Sequence, residues 1–477
     1  MKKHLKILLL IMVLFITGMI LTACSDKKSS SVSSGDESSD NSTKSDYISS
    51  EEQVLITDDM LLLALPDAVR ISDEAIQKIN IKMKEAGINY VLYPVFIGGI
   101  NEEFFDNLGR KEKELGRSID ISITGLFSDH LNSAYTVSNG YFEELNSYFE
   151  KNNGKNLYEK FTKEEWACTE IDGKYYSLPA VFYKTDSSYA IYKNLKYKND
   201  RDKDENLLEL LREYISSSAE QEGKKILIDN YYGPGIYCNG YSYLYFECFD
   251  TAEEKFKNVC KDDNIIETKN ILNKLEEEGK IEYYDRNLQN YNPDDYFAII
   301  GWDITGVDLS LFDIVFEEKK YMYHSNNMCM GIPSKSQNKE AAFDFLTLLY
   351  SDQEMIDMIC YGIEGKDYVL ENGLISDAAN SMNAYFLGLT GFATALKTDG
   401  TKNRREEMFK QYDNMEKTYC GFLPKLEAGE IEVLMNAGSY MEQWLQDKNS
   451  QLPAEVDGLD KVIDKLNQQL DEYKKSK

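Results

Sequence analysis

The sequence predicts an α/β protein with two domains. Strand-like and helix-like stretches alternate along it, the signature of a sheet with helical crossovers. The part from about residue 54 to residue 477 is longer than a single domain usually is. A hydrophobic content of 42% is enough for two ordinary cores. Residues 61–65 are a short apolar run and are read as the first strand. A helix is predicted over 72–86: Asp73 and Glu74 suit its positive end, Ile76, Ile79 and Met83 share one face, and Gly87 stops it. "INYVLYPVFI" (88–97) has the β-branched and aromatic content of a strand; a second helix follows over 103–115, and "IDISITGLF" (119–127) is the next strand. Ligands of such sheets sit beyond the carboxyl ends of the strands, which directs attention to the loop Ser128-Asp129-His130.

The middle of the chain alternates less cleanly. "KKILIDNYYG" (224–233) is read as a strand and loop, 264–278 as a helix and "YFAIIGWDI" (296–304) as a buried strand. "MCMGIPSKS" (328–336) is extended, and Asn338 is placed as the cap of a helix buried through Ala342, Phe345, Leu346 and Leu349. Asp352 opens another helix, ending at Gly362. The last helix, 459–473, carries Leu459, Val462, Ile463, Leu466, Leu470 and Tyr473 at helical spacing and should pack on the body. No internal repeat is visible.

The amino terminus reads as a targeting signal. Lys2, Lys3 and Lys6 precede ten unbroken apolar residues (7–16). That is the pattern of a signal peptide and is short for a membrane span, although adding residues 17–20 would make an uncleaved anchor helix marginal. Leu21-Thr22-Ala23-Cys24 then resembles the lipobox of bacterial lipoproteins, in which the cysteine thiol takes a lipid and the chain is cut just before it. Residues 25–50 are rich in Ser, Asp and Lys, with no aromatic before Tyr47. They can bury too little to offset backbone ordering and are expected to be a disordered tether, with a mean span of about 25–30 Å.

Composition excludes several functions. The formal charge is −29, from 53 basic and 82 acidic residues, which argues against binding nucleic acid or an anionic lipid face. Besides Cys24 there are seven cysteines: Cys168, Cys238, Cys248, Cys260, Cys329, Cys360 and Cys420. With no CxxC pair, and histidine limited to His4, His130 and His324, a metal site has little support and no cofactor is expected. Free, mostly buried thiols are the simpler reading; in an exported protein they would suggest an anaerobic setting. No P-loop, GxSxG, HExxH or post-strand GxGxxG occurs, so no catalytic residue is assigned. Acidic pairs such as Glu102-Glu103 and Glu143-Glu144 are read as solvated faces.

Aromatics are the real excess, at 12% of the chain with 34 tyrosines. Flat rings suit the apolar face of a pyranose, and carboxylates bond its hydroxyls. Trp302-Asp303, at the end of a predicted strand, puts a ring beside a carboxylate; Tyr231-Tyr232 lies in a comparable loop. The alternative for Trp302 is a place in the core.

Several stretches together resemble bacterial extracellular solute-binding protein family 1, the lipoprotein receptors of ABC-type sugar importers. "GYFEELNSYFEKN" (140–152) and "DGKYYSLP" (172–179) fit its segments, and "GIPSKSQNKEAAFDFLTLLYSDQEMIDMICYGIEGKDY" (331–368) is the most specific. This run carries the YGIEGKxY signature of a subfamily resembling aldouronate or complex-saccharide receptors, and "GFLPKLEAGEI" and "GLDKVIDKLNQQLDEYKK" fit its carboxyl-terminal region. Lys339 stands where the family usually has proline, and 200–222 and 231–245 match little. The resemblance implies a two-lobed clamp like the periplasmic binding proteins (type II). Its parts would be a lipoprotein signal (1–23), a lipidated Cys24 with tether (24–52), a mainly amino-terminal lobe (53–185), a mainly second lobe (186–350) and a helical region packing on both lobes and the hinge (351–477). It implies a non-enzymatic monomer on the extracellular face of the cell membrane of a Gram-positive-type bacterium. There it would capture an oligosaccharide by lobe closure and deliver it to ABC permease subunits. The proposed ligand residues are Trp302, Asp303, Asp129, Tyr183 (just after DGKYYSLP), Tyr232 and Glu364. Gly362 and Gly365 around Glu364 also fit a purely structural turn. An anchored glycosidase, or an adhesin or sensor ectodomain, is the competing reading.

Overall fold

The computed structural model describes residues 56–477 except 100–101, 126–136, 138–139, 152–153, 181–188, 200–204, 230–233, 245–246, 285–290, 303–306, 309, 324–327, 372–373, 377–382, 385–386, 390–396, 399–401, 404–414 and 447–455. Cys24 and the expected tether therefore lie outside the described residues.

The chain begins a first lobe with β1 (Met60–Pro66), buried from Leu61 onward because its apolar run faces a covered sheet on both sides. Helix α1 (Asp73–Glu85) follows; the Ser72 hydroxyl accepts from the Ala75 N–H, and Ala75, Ile79 and Met83 are buried. Gly87, at φ +85°, ends it, with the Ile88 N–H bonding back to the Met83 carbonyl. Strand β2 (Val91–Ile97) pairs parallel with β1, and α2 (Glu102–Leu115) buries Phe104 and Leu108. Ile121 bridges parallel to Leu63, just before β3 (Ser122–Ile123). The regular strand is shorter than the 119–127 expected. Asp120 is fully buried and fully used: it accepts from the Leu62 N–H at 2.9 Å and the Ser336 hydroxyl at 2.6 Å, and pairs with Arg117 at 2.8 Å. The short α3 (Lys163–Ala167) opens with a Thr162–Glu165 capping box and seats Trp166 in the first core.

The second lobe starts with β4 (Tyr189–Asn194) and α4 (Leu207–Ser216), the latter capped by Asn206 and Glu209. Strand β5 (Lys225–Asp229) leads through a helical turn (Pro234–Tyr237) to an antiparallel ribbon of β6 (Tyr241–Leu244), β7 (Glu247–Asp250) and β8 (Lys255–Phe256). Then come α5 (Asp263–Glu277), β9 (Ile281–Tyr284), β10 (Tyr296–Trp302), β11 (Phe312–Glu317) and β12 (Tyr321–Tyr323). The main sheet has the order β11-β4-β10-β5-β9, with β9, β5 and β10 parallel and β4 antiparallel to its neighbours. Its core is separate from the first and contains Ile191, Leu207, Leu211, Tyr214, Ile226 and Phe297.

The chain returns to the first lobe at β13 (Met330–Gly331), antiparallel to β3. Helices α6 (Lys339–Ser351) and α7 (Gln353–Cys360) join the first core, where Ala342, Phe345, Leu346 and Leu349 of α6 are all buried. Asn338 sits at the cap position as expected but does not cap: its side chain donates to the Met60 carbonyl instead, holding α6 to the start of β1. Strand β14 (Glu416–Tyr419) runs beside β12, and α8 (Ala428–Gln446) and α9 (Leu459–Ser476) build a third core. The predicted stripe of α9 is buried from Leu459 to Leu470 and half-buried at Tyr473, and its Asn467 pairs with both the N–H and the C=O of Phe256 at the edge of the ribbon.

Both sheets repeat one order. A first strand (β1, β5) lies between a second (β2, β9) and a third (β3, β10), all parallel. Beyond the third lies an antiparallel strand (β13, β4), the first that the chain makes on crossing into that lobe. This arrangement puts the carboxyl ends of the parallel strands where the crossings are.

Candidate functional site at the carboxyl ends of the two sheets

At the first lobe, β1 runs into Asp67–Arg70 and β2 into Gly98-Gly99. These turns are tied by side chains that bond backbone. The Asp67 N–H donates to the Ile97 carbonyl at 2.9 Å, and Asn107 donates to the Gly98 carbonyl at 2.8 Å. Asn383, 2% exposed, accepts from the Arg70 N–H at 3.0 Å and donates to the Ile359 carbonyl at 3.2 Å and to the Arg70 carbonyl. Gly99 has φ +88°, and a Cβ there would come within 2.8 Å of Glu103 Cγ, so only glycine fits. Asp67 and Arg70 are exposed, and the Arg70 guanidinium donates to the carbonyls of Asp67 and Val69.

At the second lobe the corresponding edge carries rings and a carboxylate. Asp229 is the last residue of β5, 2% exposed, and lies in register with Tyr284, the last residue of β9. The Tyr284 hydroxyl is 3.4 Å from the Ile300 carbonyl, to which it donates. Burial first, and then the Asp229 charge, push its phenol far above the ordinary tyrosine value. Tyr284 and Tyr192 pack on the face of the sheet that holds Leu227 and Ile299. On the opposite face Tyr189, in register with Trp302, stacks on Tyr237 with centroids 4.8 Å apart and planes 8° from parallel. The Tyr189 N–H donates to Glu318 at 3.2 Å. Aromatic rings and carboxylates thus lie at one end of the sheet, on its two faces; a carbohydrate needs both kinds of group, apolar area for C–H faces and acceptors for hydroxyls. Among the described residues no cluster of His, Cys, Asp and Glu could hold a metal ion.

Of the residues singled out from sequence, Trp302 has a described backbone position, the last of β10 and opposite Tyr189. Asp303, Asp129, Tyr183 and Tyr232 lie outside the described residues. Glu364 is exposed on the turn that follows α7. That turn has its own structural logic. The Asp367 carboxylate accepts from the Ile363 N–H at 2.8 Å, Gly362 has φ +95° and no room for a Cβ beside Asp367, and Lys366 pairs with Glu74 of α1 at 2.8 Å. Asp229, Tyr284, Tyr189 and Tyr237 were not anticipated. The signal for the first was present: "KILID" ends in a carboxylate where a parallel strand should end. "IEYY" and "YAIYKN" are too short and too polar to stand out as strands without their partners.

No protein-family model and no curated protein sequence matches the chain. Solved structures do. The N-glycan transport solute binding protein (NgtS) of Streptococcus pneumoniae is 17% identical, with a TM-score of 0.56 over 87% of this chain and 99% of that one. Its complex with Man1GlcNAc gives a TM-score of 0.53 at the same identity and coverage. At this identity the likeness speaks for the fold: the chain has the two-lobed α/β fold of that solute-binding protein.

Proposed function

We propose that this protein is a membrane-anchored receptor that captures an oligosaccharide between its lobes and hands it to an ABC-type importer. The observation that carries the reading is the pair of sheets with one strand order, whose second carboxyl edge bears Asp229, Tyr284, Tyr189 and Tyr237. The fold shared with a protein crystallised with Man1GlcNAc supports it, as do the subfamily motifs in residues 331–368. Cys24 is the lipid-bearing residue in this reading, and residues 25–50 the tether to the outer face of the membrane. Trp302, Asp303, Asp129, Tyr183, Tyr232 and Glu364 are the ligand-binding residues in this reading. Ligand bridging both lobes favours the closed form by its differential affinity, and no bond is made or broken.

The test is a thermal-shift screen of the full chain against an oligosaccharide panel. A ligand at 100 times its Kd adds about 2.7 kcal/mol to the native state, which raises Tm by several degrees. Saturable shifts without release of reducing ends are expected. A comprehensive panel with no shift, or steady release of reducing ends, overturns the reading. Separately, Cys24→Ala should abolish metabolic lipid labelling; labelling that persists removes the anchor.

A further inference from the structure

Two cysteines far apart in the chain meet where the first lobe touches the third core. Cys168 ends α3, whose Trp166 belongs to the first core; Cys420 follows β14, whose Tyr419 belongs to the third. Both are buried and share a small apolar cluster with Met322 of β12, in the crossing from β11 to β13. The stretches that follow them also stay together: Leu423 packs against the cluster that holds Ile171, and Lys425 lies 3.5 Å from Asp172. The approach of the two cysteines is therefore one of a series of contacts. Cys168 hydrogen-bonds the Cys420 sulfur, which in turn donates to the Lys417 carbonyl at 2.6 Å. The hydrogen bond from Cys168 holds the Cys420 thiol below the ordinary cysteine value, against the upward push of burial. At Cys238 and Cys360 burial wins, and those thiols are pushed well up.

We propose that Cys168 and Cys420 are a redox pair that closes to a disulfide and staples the first lobe to the third core. The oxidant is itself a disulfide, small-molecule or protein-borne. The Cys420 thiolate attacks one of its sulfurs, forming a mixed disulfide and expelling one thiolate. Cys168, giving up its proton, then attacks the Cys420 sulfur; the mixed disulfide breaks and the second thiolate leaves. The two protons and two electrons lost by the cysteines end on the two released thiols. Two sulfurs within hydrogen-bonding reach need little backbone movement to join. The bond closes a loop of about 250 residues, and in the chain-entropy account long loops restrict the unfolded chain most. Once closed it lies in an apolar cluster, where reductants reach it slowly. Cys238, Cys248, Cys260, Cys329 and Cys360 remain thiols. The odd cysteine count is then compatible with an oxidising setting.

The test refolds the full chain from denaturant in a buffer of reduced and oxidised glutathione. The product is alkylated, digested without reduction and mapped by mass spectrometry. The expected result is one dominant linked peptide, joining Cys168 to Cys420, with two fewer alkylated thiols than in chain refolded in reductant. The oxidised chain should melt about 3 °C or more above the reduced one. That gap should vanish in both Cys168→Ala and Cys420→Ala; the wild-type peptide map decides the pairing if a variant does not fold. A folded chain without that peptide overturns the pair. So does a map in which Cys248–Cys260 or Cys329–Cys360, which also share cores, is linked in its place. An oxidised chain that carries the link but melts no higher than the reduced one overturns the staple.

Discussion

At the carboxyl end of the first sheet, polar side chains turn back onto the backbone: Asn383 clasps Arg70, and Asn107 holds Gly98. At the same end of the second sheet, Asp229, Tyr284 and Tyr189 of the strands and Tyr237 of the helical turn Pro234–Tyr237 put a carboxylate and aromatic rings at the strand ends. One strand order therefore carries two different edges. The difference teaches where substitutions should register: polar changes at the first edge should cost stability, and changes at the second should cost affinity.

The largest effect should come from neither edge but from the buried end of the second sheet. Lys193 is fully buried, with its ammonium between Glu205 and Glu213. Lys193→Met leaves the buried Glu205 carboxyl without its cation and should cost about 3–5 kcal/mol, seen as a lower denaturant midpoint. A change under 1 kcal/mol would mean that water reaches the pair. Next, Asn383→Ala strands the N–H and C=O of Arg70 and the C=O of Ile359. It should cost about 2–4 kcal/mol of stability, with Kd for the saccharide changed little once the protein is folded.

Tyr237→Ala is the mirror experiment at the second edge. Removing a ring that stacks on a buried partner at a binding edge should weaken saccharide binding about thirtyfold or more, a larger loss in affinity than in stability. Trp302→Ala should behave the same way if its side chain faces ligand. A steep fall in Tm without ligand, with normal affinity in the folded fraction, would place that tryptophan in the core instead.

Much of the first lobe was legible because its elements are long and locally capped. β1 is an unbroken apolar run, and Ser72, Asp73, Gly87, Asp352 and Gly362 act at the ends where their chemistry says they should. The α9 stripe was legible for the same reason. The second lobe was harder because its strands mix burial with polar ends. β4 contains a fully buried lysine and β9 alternates Glu282 and Tyr283 at its middle, so hydropathy alone undervalues both. Asp229 was missed although the rule that selected Trp302, attention to strand ends, applies to it equally. Asn338 shows the opposite error: a good cap residue whose side chain is drawn off by the Met60 carbonyl, a partner that only the tertiary fold supplies.

A further expected effect is a pH dependence. Burial pushes the Glu205 carboxyl up, to about 7, against the pull of the Lys193 charge. A carboxyl whose value is higher folded than unfolded holds more protons in the native state between about 4.5 and 7. Its contribution is full below that window and is lost as pH rises through it. Glu205→Gln should therefore flatten the fall in stability between those values, measured by denaturant midpoints at several pH values. An unchanged slope would show that Glu205 titrates normally.

The most direct test of the central claim, that ligand is held at the carboxyl ends of the two sheets, is hydrogen–deuterium exchange of the full chain with and without its tightest oligosaccharide. Protection is predicted in peptides covering 229–237, 284–291 and 302–307 of the second lobe together with 66–71 and 98–99 of the first. Protection confined to the opposite ends, around 222–225 and 293–296, or none at all with saccharide bound, would contradict it.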